Sequence, residues 1–251
     1  MRRVRDGEVE WLTFDLLNNH KEIKHAVFLR KGGSSSPPYA SLNFSYSSGD
    51  TPNCVAANRA KACAILGCEK EYIGKLMHGK AVREVRRDSA QQLEACDGLM
   101  SAEKNLGLLT THADCQATFF YDPVKKVAAV VHCGWRGNVF DIYGETVKSL
   151  HARYGSNPAD ILACVGPSLG PSHAEFINYK QEFPEEFWEF QPHPFHFNLW
   201  EIARMQLKRA GLLTHHIEIA ALCTFENSSD FFSYRREGAA SGRHGSMLLL
   251  V

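Results

Sequence analysis

Cys115 and His132 are the residues whose types and surroundings best suit chemistry. They bracket the stretch TTHADCQATFFYDPVKKVAAVVHCGWRGN, residues 110–138, in which two apolar runs, Ala117 to Tyr121 and Val127 to Val131, flank Asp122-Pro123-Val124-Lys125-Lys126. A turn-forming loop of this length closes a β-hairpin. Pairing Tyr121 with Val127 sets Gln116 opposite His132, so Cys115 and His132 meet at the open end of the hairpin. Opposed residues in such a ladder have Cβ atoms roughly 5 Å apart, within reach of a shared ion. A second imidazole is available in two places. His78 lies in KLMHGKAV beside Gly79, and His112 stands three residues before Cys115; spacing leaves both open. A thiolate with two imidazoles fits Zn²⁺ and leaves a fourth position for water, and the same donors accept Cu²⁺. Water held there titrates near neutrality and supplies a nucleophile. A competing chemistry uses the same residues without a metal, with Cys115 as a thiolate nucleophile activated by His132. Asp114 reads as an acceptor that orients the loop rather than as a ligand.

Beyond His132, Gly134-Trp135-Arg136-Gly137-Asn138 reads as a glycine-bounded turn before a helix starting near Val139. A strand entering such a turn presents backbone N–H groups at its end, and with Arg136 the place suits an anionic oxygen such as phosphate. The plainer alternative pairs Arg136 with a carboxylate and packs Trp135. Tyr234, Arg235 and Arg236 form a polar cluster before the final strand and are placed to complete a pocket. Other patterns fail. His173-Ala174-Glu175 matches the first half of a zinc deaminase signature, but no P-C-x-x-C follows. The chain has no H-x-H pair of the multidomain blue-copper type, no G-x-G-x-x-G and no P-loop.

The elements that must position these groups are readable in outline. Strands are expected at 25–30, 81–86, 116–121, 127–132 and 160–165 and in the C-terminal MLLLV. Helices are expected from Asn53 to Leu66, Val139 to Tyr154 and Leu199 to Ala210, each stopped by a glycine. The segment KGGSSSPPYASLNFSYSSGDTPN is loop. Interleaved strands and helices with hairpins as well as crossovers point to a mixed-sheet α/β or α+β domain. Lys plus Arg equals Asp plus Glu at 28 each, which removes any electrostatic reason to expect nucleic acid or an anionic membrane as partner. The cluster Arg83, Arg86 and Arg87 reads as a solvated face. The charged N-terminus has no apolar h-region behind it, and no apolar run is long enough to span a membrane, so a cytoplasmic protein is expected. Most of the eight cysteines then read as small buried hydrophobes in a reducing compartment.

At these residues the chain resembles the YfiH-like proteins, known as laccase-domain or polyphenol-oxidase proteins and as purine nucleoside phosphorylases. The resemblance runs from about residue 25 to the end. It is carried by Arg30-Lys31-Gly32-Gly33-Ser34, Ser41-Leu42-Asn43-Phe44, Gly49-Asp50, Asn58-Arg59, Met77-His78-Gly79, Cys96-Asp97-Gly98-Leu99 and Ala113-Asp114-Cys115. His132 to Gly137, Gly166 to Pro171 and Phe232 to Arg236 complete it. It implies one domain over residues 1–251, an α/β/β/α layered sandwich similar to the catalytic domain of cytotoxic necrotizing factor. It also implies His78, Cys115 and His132 as a catalytic metal triad, with His112 a neighbour, and a zinc or copper ion as cofactor. Asn43, Arg136, Tyr234 and Arg236 become the candidates for substrate binding. The implied activity is phosphorolysis of adenosine, inosine and methylthioadenosine, with adenosine deamination, by a monomer or small homo-oligomer acting on nucleoside and phosphate. Copper-dependent phenol oxidation and removal of L-serine from a muropeptide are the alternatives. Two departures bear on substrate preference. Gln116-Ala117 stand where an apolar residue and a proline are usual, and Ser172-His173 stand where the family carries cysteine, while Glu175 keeps the carboxylate.

Overall fold

The computed structural model describes residues 1–251. In chain order its strands are β1 (Arg2–Asp6), β2 (Val9–Thr13), β3 (Ile23–Phe28), β4 (Lys70–Gly74), β5 (Val82–Glu84), β6 (Gln92–Leu93) and β7 (Gly98–Ser101). They continue with β8 (Leu106–His112), β9 (Gln116–Asp122), β10 (Val127–Cys133), β11 (Leu162–Val165), β12 (Ile217–Ile219) and β13 (His244–Leu250). They form two sheets, ordered β1-β2-β3-β13-β8-β4-β6 and β12-β11-β9-β10-β7-β5. Both are mixed: β4 runs parallel to β6 and β8, β5 to β7, and β11 to β12, while the other ladders are antiparallel.

Side-chain alternation explains why the sheets stack. Leu106, Leu108, Leu248 and Leu250 of the first sheet meet Phe119, Tyr121, Ala128 and Val130 of the second in one buried cluster. Successive side chains on a strand point to opposite faces, so the intervening residues line two outer cores. Leu109, Met247 and Leu249 pack with Ala62 and Leu66 of the helix Pro52–Leu66. Phe120, Ala129 and Val131 pack with residues of the helices Ile142–Tyr154 and Leu199–Arg209. The order is therefore helix, sheet, sheet, helix, the layering that the family resemblance implies.

Two local expectations are corrected. The β9–β10 hairpin is one residue out of the expected register: Val127 pairs with Asp122, His132 with Ala117 and Cys133 with Gln116. Asp122 stays in the strand because its Oδ1 accepts the N–H groups of Val124 and Lys125 at 2.8 and 2.9 Å. Lys126 takes a left-handed φ of 53°. Four residues, Pro123 to Lys126, thus close the turn instead of five. The helix expected from Val139 to Tyr154 is in fact two, Trp135–Val139 and Ile142–Tyr154. They break at Asp141, which sits at φ 53° and caps the second helix by accepting the Gly144 N–H at 3.1 Å. The supposed glycine turn at 134–138 is therefore itself a helical turn.

Candidate metal centre

One end of the second sheet gathers the reactive groups. His132 is the penultimate residue of β10 and continues the inward face of Ala128 and Val130. The antiparallel β10–β7 register carries Asp97 to the position opposite it, where the His132 N–H donates to the Asp97 carbonyl at 2.7 Å. Cys115 arrives from the other sheet. After β8 the chain crosses between sheets through Ala113-Asp114-Cys115, with Asp114 in the left-handed region at φ 79°. The Asp114 carboxylate accepts from Thr224 Oγ1 and from the Arg235 N–H, each at 2.6 Å, and so holds the crossing in place. His78 lies in the loop before β5, also in the left-handed region at φ 55°. For a non-glycine residue that conformation is costly and needs support. Asp97 gives it: Oδ1 accepts the His78 N–H at 2.9 Å, and Oδ2 those of Met77 and Gly79 at 3.1 and 2.9 Å.

The structure thus brings His78, Cys115 and His132 together, with one donor atom of each inside a mutual distance of 4.8 Å. His112 is not among them; its Nε2 bonds Ser246 Oγ at 2.8 Å. Sulfur with two imidazole nitrogens at this spacing fits an ion whose bonds to such ligands are about 2.0–2.3 Å long. His132 Nδ1 meets Asp97 Oδ1 at 3.0 Å, which fixes the tautomer and leaves Nε2 for an ion. Gly134 keeps the space open, since a Cβ there would sit 2.9 Å from His78 Nδ1 and 3.1 Å from Cys115 Sγ. The electrostatics agree with the geometry. Burial would push the Cys115 thiol up, but the charge and hydrogen bond of His132 and a hydrogen bond from His78 bring it down to about 6. Burial likewise opposes charge on His132, yet the Cys115 thiolate and Asp97 raise it to about 9. Asp97 stays below its ordinary range against its own burial, held there by His132 and the backbone N–H groups. A thiolate is therefore present near neutral pH.

These groups open into a cavity of about 650 Å³, well within the range of small-molecule sites. Leu76, Trp135, Leu169, Phe176 and Leu199 supply apolar wall, and Tyr234, Arg235 and Arg243 supply polar wall. Of the residues nominated for substrate, only Tyr234 lines it. Arg136 is exposed, with its guanidinium 5.1 Å above the Trp135 ring. Asn43 is fully buried and binds the loop carrying Ser45 and Ser47, while its Oδ1 accepts the Arg243 N–H at 2.9 Å. Arg236 donates to the carbonyls of Thr224, Phe225 and Phe231 and so braces a turn. Asp97 and Arg243 carry no signal of their own in the sequence. Asp97 stands inside a quoted family motif, but its work is done through backbone N–H groups.

Comparison with known proteins agrees with this architecture. The family described as multi-copper polyphenol oxidoreductase laccase matches residues 24–251. A purine nucleoside phosphorylase of Bacteroides thetaiotaomicron is 31% identical, covering 92% of this chain and 93% of its own. The purine nucleoside phosphorylase YlmD of Bacillus subtilis is 31% identical, covering 92% and 89%. The crystal structure of the Bacillus licheniformis hypothetical protein YfiH superposes with a TM-score of 0.88 at 28% identity, covering 97% of each chain. No helix of this chain is long and apolar enough to cross a membrane. With a family match across nine-tenths of its residues and a shared two-sheet fold, the chain belongs to this YfiH-like, laccase-domain family.

Proposed function

We propose that the protein is a zinc-dependent purine nucleoside enzyme whose principal reaction is phosphorolysis, with adenosine deamination as a second activity. The observation that carries this reading is the thiolate and two imidazoles in a cavity that also has cationic and aromatic wall. When bound, zinc supplies Lewis acidity at that point of the cavity. The chain's own residues supply binding and orientation. Trp135, Phe176, Leu169 and Leu199 offer apolar surface suited to the face of a purine. Phosphorolysis also requires phosphate near the ribose C1′. Arg243 is the better candidate for it than Arg136: it lines the cavity, and its Nη1 is anchored on the carbonyls of Ser241 and Gly242. Burial lowers its pKa, with Cys115 and Tyr234 acting against that, and a guanidinium remains protonated. Tyr234 packs under it, 5.3 Å from guanidinium to ring.

A second reading, copper-dependent phenol oxidation, has one observation in its favour: two imidazoles and a thiolate are also a copper donor set. Against it, a single three-donor site is poorly matched to the four-electron reduction of oxygen. The test is direct. Zinc-loaded protein given inosine and phosphate should release hypoxanthine, and Cys115→Ala should lower that rate by roughly a hundredfold or more. Absence of base release from the zinc form, with rapid turnover of a phenolic dye after copper loading, would replace the first reading by the second. Full activity in Cys115→Ala would dispose of both.

A further inference from the structure

We propose that His173, Cys223 and Glu226 form a second metal site, distinct from the His78–Cys115–His132 centre, which takes a zinc-type divalent cation. One donor atom from each lies within 4.8 Å of the others. They come from two segments joined by a short bridge, in which Thr224 N–H donates to the Ser168 carbonyl at 3.0 Å and Ser168 N–H to that of Leu222 at 3.1 Å. The backbone therefore presets the spacing of the three ligands before any ion arrives.

Each donor is oriented by a contact of its own. The His173 ring stacks on Phe225 with centroids 4.1 Å apart and planes at 22°, and its Nε2 meets Glu226 Oε1 at 3.2 Å. Cys223 is buried, at 4% exposure, and its Sγ accepts the Gly170 N–H at 3.2 Å. That contact fixes the direction in which the buried sulfur points. Glu226 is about half exposed, with its side chain at 54%, which gives an ion a path in from solvent. The plainer account is a surface His–Glu pair beside an inert cysteine. Such a pair contributes little by itself, and it does not explain why a buried sulfur with a donor aimed at it borders both groups.

Ligand chemistry selects the ion. Sulfur and imidazole discriminate against Mg²⁺ and Ca²⁺, which want oxygen, and favour Zn²⁺. Binding displaces the thiol proton of Cys223 to solvent and leaves a fourth position for water. The ion would clasp the turn at 170–175 to the turn at 223–226. Arg235, a cavity residue, donates to the carbonyls of His173 and Glu175 at 3.1 and 3.2 Å, so the clasp stiffens one wall of the main cavity.

The test is a metal count on the full chain. After removal of metal by chelator and reloading with Zn²⁺, wild type should retain two equivalents through gel filtration. His173→Ala, Cys223→Ala and the surface change Glu226→Gln should each retain one, and so should Cys115→Ser. With Co²⁺ as probe, Cys115→Ser should still show thiolate-to-cobalt absorption, and adding Cys223→Ala should abolish it. The proposal is overturned if wild type retains a single equivalent. It is equally overturned if the second equivalent persists in both His173→Ala and Glu226→Gln, or if Co²⁺-loaded Cys115→Ser shows no thiolate band.

Discussion

Asp97 does more for the candidate centre than any residue that reaches into it. Its carboxylate accepts three consecutive backbone N–H groups and the His132 imidazole, so one side chain fixes the positions of two imidazoles from separate elements. An amide in its place keeps one acceptor oxygen and turns an NH₂ toward donors. Asp97→Asn should therefore weaken zinc binding by about 10–100-fold, read by competition with a chromophoric chelator. Unchanged affinity would show that the loop holds His78 without the carboxylate. The contrast with Arg136 is instructive. Its type suits phosphate, but side-chain direction on the helix Trp135–Val139 leaves it stacked on Trp135 at the surface. Arg243, the residue immediately before the last strand, lines the cavity instead.

At the scale of elements, the centre depends on where strands end. β10 passes directly into the helix at Gly134, whose φ of −79° suits any residue, so its requirement for glycine is one of space. Gly134→Ala should leave the melting temperature near wild type while zinc binding falls, because the added methyl crowds His78 and Cys115. A large loss of stability with normal zinc affinity would contradict this. The β9–β10 hairpin supplies the base on which the site stands. Phe119 is wholly buried between the sheets, within an aromatic group that includes Phe14 and His25. Phe119→Ala should cost about 3–5 kcal/mol in urea denaturation.

Across the whole molecule, the two-sheet core holds neutral histidines that make the fold sensitive to acid. His25 Nε2 accepts the Phe14 N–H at 2.7 Å and His244 Nε2 that of Phe232 at 2.9 Å, and burial lowers both from 6.5 to about 4. Between those pH values the unfolded chain binds protons that the folded chain refuses. Stability from these groups is thus full above about pH 6.5 and falls as the pH drops to about 4, by roughly 3 kcal/mol for each histidine. Urea midpoints measured across that range should show the decline, and His25→Gln should flatten it. An unchanged slope in the variant would assign the acid sensitivity elsewhere.

The alternation of Ala117 to Tyr121 and Val127 to Val131 about a polar turn is a local pattern, and it was enough to determine the hairpin and the meeting of Cys115 with His132. Helices at Pro52–Leu66 and Leu199–Arg209 were legible for the same reason, through apolar spacing and a glycine stop. The register was not, because it turned on which backbone groups Asp122 captures. Strands such as β8, buried on both faces, lacked an alternating signature, and β1, RRVRD, read as charge rather than as an edge strand. Composition and spacing left His78 and His112 as equals. Tertiary structure separated them, because the β10–β7 ladder sets Asp97 where it can hold the 77–79 loop against His132, while His112 is turned to Ser246. Period and turn chemistry are written along the chain, whereas the approach of four distant segments to one sheet end exists only once both sheets have paired and stacked.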